Sequence, residues 1–484
     1  MPNVKIVFVS AAVLCGNTAF AEDLAPVRPD RPWVGDTYVL PPNTNISLPT
    51  APAQFDLRHA YTLPELIDIA QSANPATRVA WAEARIAAQR EGLVEATFLP
   101  NLSALVLGGY QSGQGRTAVS TANGNTASAA VSALTLQWLL FDFGQRSARL
   151  EAARQDATLA DINFTAEHQN VIYKVSLAFY AHAAARARLI NATTAVKDAQ
   201  EVQAAAEDRL RHGIGTIVEV AQARQATAQA NLALVQANGA ADDSYVALLT
   251  AMGISPLTKV AVADPPLHDF NAAVVSDIDK VVADALARRT DIQAANAGRL
   301  ASLARLEAAQ AEYLPKIFVS ATGSYATASL DSGAFSLGAD QLPATNLSAH
   351  RSGVTVLVGI KIPIFDGGIR DANVEQARAD SDRTVALTTQ AVTEATRQIV
   401  VAQNAVKTSI ATWRAAHVLE AAAQTTFDAA LASWRHGVGS ITDVTLAEMQ
   451  LLHARDAAAE AYSTALSAAA SLALATGILS AAPE

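Results

Sequence analysis

The sequence predicts very long antiparallel helices carrying a few transmembrane β-strands (α + transmembrane β), with the whole unit present twice. Three observations predict this. Four short motifs recur in the same order along the 484 residues. Each copy holds a run of 68 residues without Gly or Pro. Each copy also holds a pair of alternating segments, apolar on one face and polar on the other.

Taken in order, the first residues read as a leader. Lys5 precedes an apolar stretch at 6–14, and Ala19-Phe20-Ala21 supplies the small residues of a cleavage site, so 1–21 is expected to be removed. Cys15, the single cysteine, would leave with it. Lipid attachment there is the alternative, and Leu14 disfavours it by standing where a lipidation site carries a small residue. Residues 22–60 are rich in proline and lack helical periodicity, as expected of an extended segment. Beyond the leader the charge-free runs of spanning length, such as 117–141 and 461–483, are rich in Ala, Ser and Thr rather than in large apolar residues, so any membrane crossing is expected to use β-strands.

The duplication follows. Phe98-Leu99-Pro100 recurs as Tyr313-Leu314-Pro315, and Phe141-Asp142-Phe143-Gly144 as Phe365-Asp366-Gly367-Gly368. Arg211-His212-Gly213-Ile214-Gly215 recurs as Arg435-His436-Gly437-Val438-Gly439, and Ala251-Met252-Gly253 as Ala475-Thr476-Gly477. The offset is 215 residues for the first motif and 224 for the others, so one loop of the second copy is about nine residues longer. A period this long marks two copies of a whole architectural unit, 61–275 and 276–484, rather than a solenoid.

Each unit opens with a helical stretch, about 63–98 and 276–312, ending at Leu-Pro. A strand pair follows (101–141 and 316–365), then a long helix (145–212 and 369–436). At ~1.5 Å per residue each long helix measures on the order of 100 Å. A return helix (216–252 and 440–476) closes the unit. Ala dominates the apolar residues, and small side chains let helix backbones approach closely.

In the strands, Leu102, Ala104, Val106, Gly108 and Tyr110 share one face, as do Ile317, Val319, Ala321, Gly323 and Tyr325. The partner strands carry Leu134, Leu136, Trp138 and Leu140, then Val358, Ile360, Ile362 and Ile364. Tyr110, Trp138, Tyr325, Ile360 and Ile362 are the expected lipid-facing residues. The segments between partners, 111–130 and 326–351, are expected to be exposed loops. A half-buried soluble sheet is the alternative on alternation alone. Four strands cannot close a barrel, whose smallest single-chain forms have about eight, and lipid tolerates no open sheet edge. If the strands span a membrane, several chains must therefore share one barrel.

The formal net charge of −10 and the lack of a Lys/Arg run argue against nucleic acid. The nine histidines show no H-x-x-x-H spacing, and no phosphate loop or nucleophile elbow is present. No enzyme, cofactor or metal is expected.

With these residues in place, the chain resembles the TolC-like outer membrane efflux proteins from about residue 60 to 479. Asn74-Pro75, the Leu-Pro before each hairpin, Phe365-Asp366-Gly367-Gly368 and the two Arg-x-Gly turns carry the resemblance. It implies a homotrimer whose twelve strands form one barrel in outer membrane lipid, spanning the periplasm of a Gram-negative envelope as an exit duct. Its implied partners are a periplasmic adaptor (membrane fusion) protein and an inner-membrane pump of RND, ABC or MFS type. The alternative is a periplasmic coiled-coil adaptor or scaffold. By the same resemblance Arg211, Gly213, Gly215, Arg435, Gly437 and Gly439 form adaptor-contacting helical tips. Glu219 and Asp443, with Trp434 nearby, narrow the periplasmic entrance. The residues themselves also permit a plainer role, in which Thr216 and Ser440 cap the return helices and Glu219 and Asp443 complete capping boxes. Gly439 departs from relatives with a basic residue there, and Thr290 replaces the proline found at Pro75.

Overall fold

A computed structural model describes residues 58–117, 120–266, 278–332, 335–337, 340–342 and 345–479, together with Asn45 and Asp56. Side chains are described outside 113–125, 278–279 and 330–347. The expected leader and nearly all of the proline-rich segment lie outside the described residues.

The first unit runs β1 (Ala60–Tyr61), α1 (Leu63–Ala73), α2 (Pro75–Glu95), β2 (Asn101–Thr117), β3 (Ser120–Phe141), α3 (Gln145–Arg211) and α4 (Ile217–Met252). After β4 (Ala261–Val262) the second runs α5 (Ile278–Arg288), α6 (Thr290–Gln310), β5 (Lys316–Ser332), a small hairpin of β6 (Phe335–Leu337) and β7 (Asp340–Leu342), β8 (Thr345–Lys361), α7 (Ile369–Arg435) and α8 (Ile441–Ala475). The helices α3 and α7 each hold 67 residues, about 100 Å at ~1.5 Å per residue. No described helix is long and apolar enough to cross a membrane.

Each opening stretch is two helices rather than the single helix expected. Pro75 bars the residue before it from the α region, and Asn74 is extended at ψ 126°. Its Oδ1 accepts the Ala76 N–H at 2.9 Å, while its Nδ2 donates to the Ala251 carbonyl at 3.0 Å. The second copy breaks at the same place without a proline. Arg289 is extended at ψ 130°, and its buried guanidinium donates to Asp291 at 2.9 and 2.6 Å and to Gln398 Oε1 at 2.7 Å. It also reaches the Ala475 carbonyl at 2.8 Å, the duplicate of Ala251. One anchoring carbonyl is thus gripped by asparagine in one copy and by arginine in the other. Gly253 permits the close approach: its φ is +75°, and a Cβ there would lie 2.7 Å from the Asn74 Cα.

The strands form one antiparallel sheet in the order β2-β3-β5-β8, so each hairpin lies beside the other through β3 and β5. Leu102 faces Leu136, Trp138 faces Val319, and Ile317 faces Ile360. Directly opposed residues share a face, so the apolar series of all four strands fall on one side. Two expectations need correction. Strand pairing runs through 111–117 and 120–130, and through 326–332 and 345–351, because residues of this Gly, Ser, Thr and Ala composition continue the backbone ladder that joins the hairpins. Ile362, expected on the lipid face, lies one residue past the end of β8; it is exposed but outside the sheet. Tyr110, Trp138, Tyr325 and Ile360 are exposed on the apolar face, and the Trp138 indole donates to the Phe98 carbonyl at 2.9 Å where sheet meets helix.

Candidate functional site

The two Arg-x-Gly turns close the ends of α3 and α7 farthest from the sheet. Gly213 (φ +76°) and Gly437 (φ +80°) take the left-handed conformation that ends a helix without a Cβ clash. The chain then folds back over the last turn. Ile214 N–H and Gly215 N–H donate to the Arg209 carbonyl, both at 3.0 Å, and Val438 and Gly439 repeat this on Ser433 at 3.0 and 3.1 Å. Gly215 and Gly439 have ordinary φ and ease the packing of the turn on the helix end instead. A Cβ on Gly215 would lie 3.0 Å from Leu210 N, and one on Gly439 3.1 Å from Trp434 N.

Thr216 accepts the Glu219 N–H at 3.2 Å, and Ser440 accepts the Asp443 N–H at 3.2 Å. Each acid reaches back to the N–H of its capping residue at 3.4 Å, completing a capping box at the start of α4 and α8. Glu219 is half-buried and Asp443 exposed, so both carboxylates keep a solvent-facing side. Arg211 is exposed and pairs with Asp208, and Arg435 is exposed.

Trp434 lies elsewhere: it is 1% exposed, inside a core built by all four long helices. Val202 and Ala206 of α3, Val220 and Ala223 of α4, Phe427 of α7, and Ile441, Val444, Ala447 and Leu451 of α8 complete that core. Its duplicate Leu210 is 38% exposed, so the two tips differ in what they bury. The Arg209 guanidinium sits 5.4 Å from the Trp434 ring centroid, a cation–π contact that joins the two tips. Gln222 Nε2 also donates to Thr442 Oγ1 at 3.4 Å between α4 and α8. Within the first tip, Arg224 donates twice to Glu207, at 3.1 and 2.9 Å, and these bonds hold the Glu207 carboxyl below its ordinary range.

Above the tips the seam between the hairpins is polar. Asn191 donates to Asp456 at 3.0 Å, Ser463 to the Tyr180 carbonyl at 2.7 Å, and Arg188 pairs with Glu460. Glu448 is buried in α8, and its Oε2 has no hydrogen-bond partner among the described residues. Burial, and then the nearby Asp198 of α3, push its carboxyl up to about 7. Asp198 is itself raised by burial.

The sequence reading passed over two arginines where sheet meets long helix. Arg146 donates to Asp142 at 3.0 Å and to the carbonyls of Thr97 and Leu140 at 3.0 and 3.2 Å, beneath the Phe98 ring. Arg370 repeats the arrangement with Asp366 at 2.7 Å, the Pro363 carbonyl at 3.1 Å and the Tyr313 ring. Their place two residues after each Phe-Asp-x-Gly was the available signal.

Comparison with known proteins agrees with this architecture. The model of the family described as "Outer membrane efflux protein" matches residues 66–254 and 281–478. Protein CyaE of Bordetella pertussis is 31% identical over 327 residues, covering 68% of this chain and 65% of its own length. The putative multidrug resistance outer membrane protein MdtQ of Escherichia coli is 35% identical over 126 residues, 25% of this chain and 23% of its own. Among solved structures, the outer-membrane channel OprN superposes with a TM-score of 0.70 at 20% identity, over 91% of this chain and 99% of its own. CusC does so with 0.70 at 22%, over 90% and 99%. At these identities the structural matches speak for the fold.

Proposed function

Because this chain belongs to the outer membrane efflux protein family, we propose that it is the outer membrane exit duct of a tripartite export system. Three copies share one twelve-strand barrel, and their helices form a tunnel through the periplasm to an adaptor and an inner-membrane pump. The duct is passive, and the pump supplies the energy. The observation that carries this reading is the sheet: four long strands, one apolar exposed face, and β2 and β8 each with an unpaired edge among the described residues. Unpaired edges are not tolerated in lipid, and pairing β2 of one copy with β8 of the next removes them all.

In this reading the turns at Gly213–Gly215 and Gly437–Gly439 meet the adaptor. Glu219 and Asp443 from three copies make a ring of six carboxylates that favours cations at the entrance, while also capping their helices. Trp434 acts from within, as the packing that holds the hairpins together, rather than as a lining group.

Two measurements test the proposal. Heat-resistant trimers in the outer membrane fraction support it, whereas a soluble periplasmic monomer overturns it. In planar bilayers, replacing Glu219 and Asp443 together with Ala should lower the preference for cations; an unchanged preference reduces both residues to helix caps.

A further inference from the structure

Among the described side chains of the sheet, the charges have one sign. Among strand residues with described side chains (101–112, 126–141, 316–329 and 348–361), there is no Asp or Glu, and the Lys and Arg residues are Lys316, Arg351 and Lys361. The strand register puts all three on one face. Lys316 lies directly opposite Lys361, and Arg351 opposite Ala326, on the side away from Ile317, Val358 and Ile360. That is the face opposite the apolar series, and it carries Gln137, Thr135 and Thr322 together with Leu139, Phe318 and Leu357.

Like charges directly opposed across a strand pair oppose folding, so a Lys–Lys pair without compensation calls for a use. None of the hydrogen bonds or ion pairs of the described residues engages either lysine side chain. Their neighbours keep them clear. On the same face, two residues along, the far edge of the Phe318 ring rests over Gly359, where a Cβ would lie 2.5 Å from its Cζ. Phe318 therefore lies along β8 rather than standing up beside the lysines.

We propose that the Lys316–Lys361 pairs of three copies form a cationic ring at the inner end of the barrel, where the strands join the helices, and that the ring engages anionic cargo in transit. This rests on the exit-duct reading, which closes the sheet with its polar face inward. Six ammonium groups around a confined aqueous passage, with no acid among the sheet residues whose side chains are described, focus a positive potential there. Arg351 adds a second tier about 33 Å away along the tilted strand, at ~3.3 Å per strand residue. The duct then carries opposite signs at its two ends: carboxylates at the helical tips and ammonium groups at the barrel base. The ring favours solutes bearing phosphate or several carboxylates.

The test is current block in planar bilayers by inorganic tripolyphosphate added at the outer mouth of the barrel. Wild-type channels should be blocked, less so in high salt. The pair K316Q/K361Q should raise the half-blocking concentration by more than about tenfold, and K316R/K361R should preserve it. Normal conductance without block by millimolar tripolyphosphate, or equal block of wild type and K316Q/K361Q, overturns the ring and leaves the duct standing. Absence of any channel from the wild-type protein overturns both.

Discussion

At the scale of single residues, the most consequential side chain outside the tips is Glu448. It is 7% exposed in the seam between the hairpins, with one oxygen unpartnered and Asp198 facing it. Glu201, Asp428, Lys197 and Arg455 supply the surrounding field around Asp198. Its carboxyl moves from 4.5 to about 7 on folding, so between those values the folded chain holds a proton that the unfolded chain releases. Stability from this group is therefore intact below pH 4.5 and falls as pH rises through 7. Such a shift corresponds to at most about 3 kcal/mol. Glu448→Gln removes the ionisation while keeping the shape. Thermal unfolding of the detergent-solubilised protein should show the variant melting higher than wild type at pH 8 and alike at pH 4.5. A variant no more stable at pH 8 would mean that Glu448 is solvated in the assembled protein.

At the scale of elements, the sheet makes a prediction that depends only on register. Val356 and Thr355 are neighbours in β8, but Val356 shares a face with Tyr110 and Trp138, and Thr355 with Gln137 and Lys361. A lysine facing lipid near mid-membrane costs about 2–4 kcal/mol, whereas one facing the lumen is solvated. Val356→Lys should abolish heat-resistant trimers in the membrane fraction, while Thr355→Lys should leave them intact and alter conductance; the reverse pattern would invert the sheet. The strand faces were legible in the sequence because the alternation of residues such as Val319 and Ile360 is a local signal. The long helices were legible because 145–212 and 369–436 contain no breaker. The break at Arg289 was not, since it depends on side-chain bonds to Gln398 and Ala475 across more than 100 residues. Trp434 was legible as a tip residue but not as a buried one: its burial comes from three other helices, and its duplicate Leu210 suggests the opposite. Strand ends failed as well, because Gly, Ser and Ala segments have no facial pattern to show where pairing stops.

At the scale of the whole molecule, if copies share one barrel as proposed, the duplication fixes how one should meet the next. Moving the first hairpin onto the second shifts β2 by 215 residues and β3 by 224, as the motifs do. The pairing obeys the same shifts: Leu102 faces Leu136, and their duplicates Ile317 and Ile360 face each other. The β3–β5 seam inside the chain can therefore be carried forward to the seam between copies. Leu134 faces Gly323 within the chain, and this pair maps onto Val358 of one copy and Gly108 of the next. Val131 facing Ala326 likewise maps onto Thr355 and Gln111. Both mapped pairs keep the apolar and polar faces of neighbouring copies aligned, and a shift of one residue would turn every side chain of the added strand to the wrong side. Cysteines replacing Thr355 and Gln111 in one chain should cross-link under mild oxidation, or with a short bifunctional thiol reagent, to covalent dimers and trimers on denaturing gels. The pair Thr355→Cys with Leu107→Cys is displaced by four residues, about 13 Å along the strand, and should stay monomeric. Equal cross-linking of both pairs would point to a slipped or mobile seam, and none from either would mean that β2 and β8 are not neighbours.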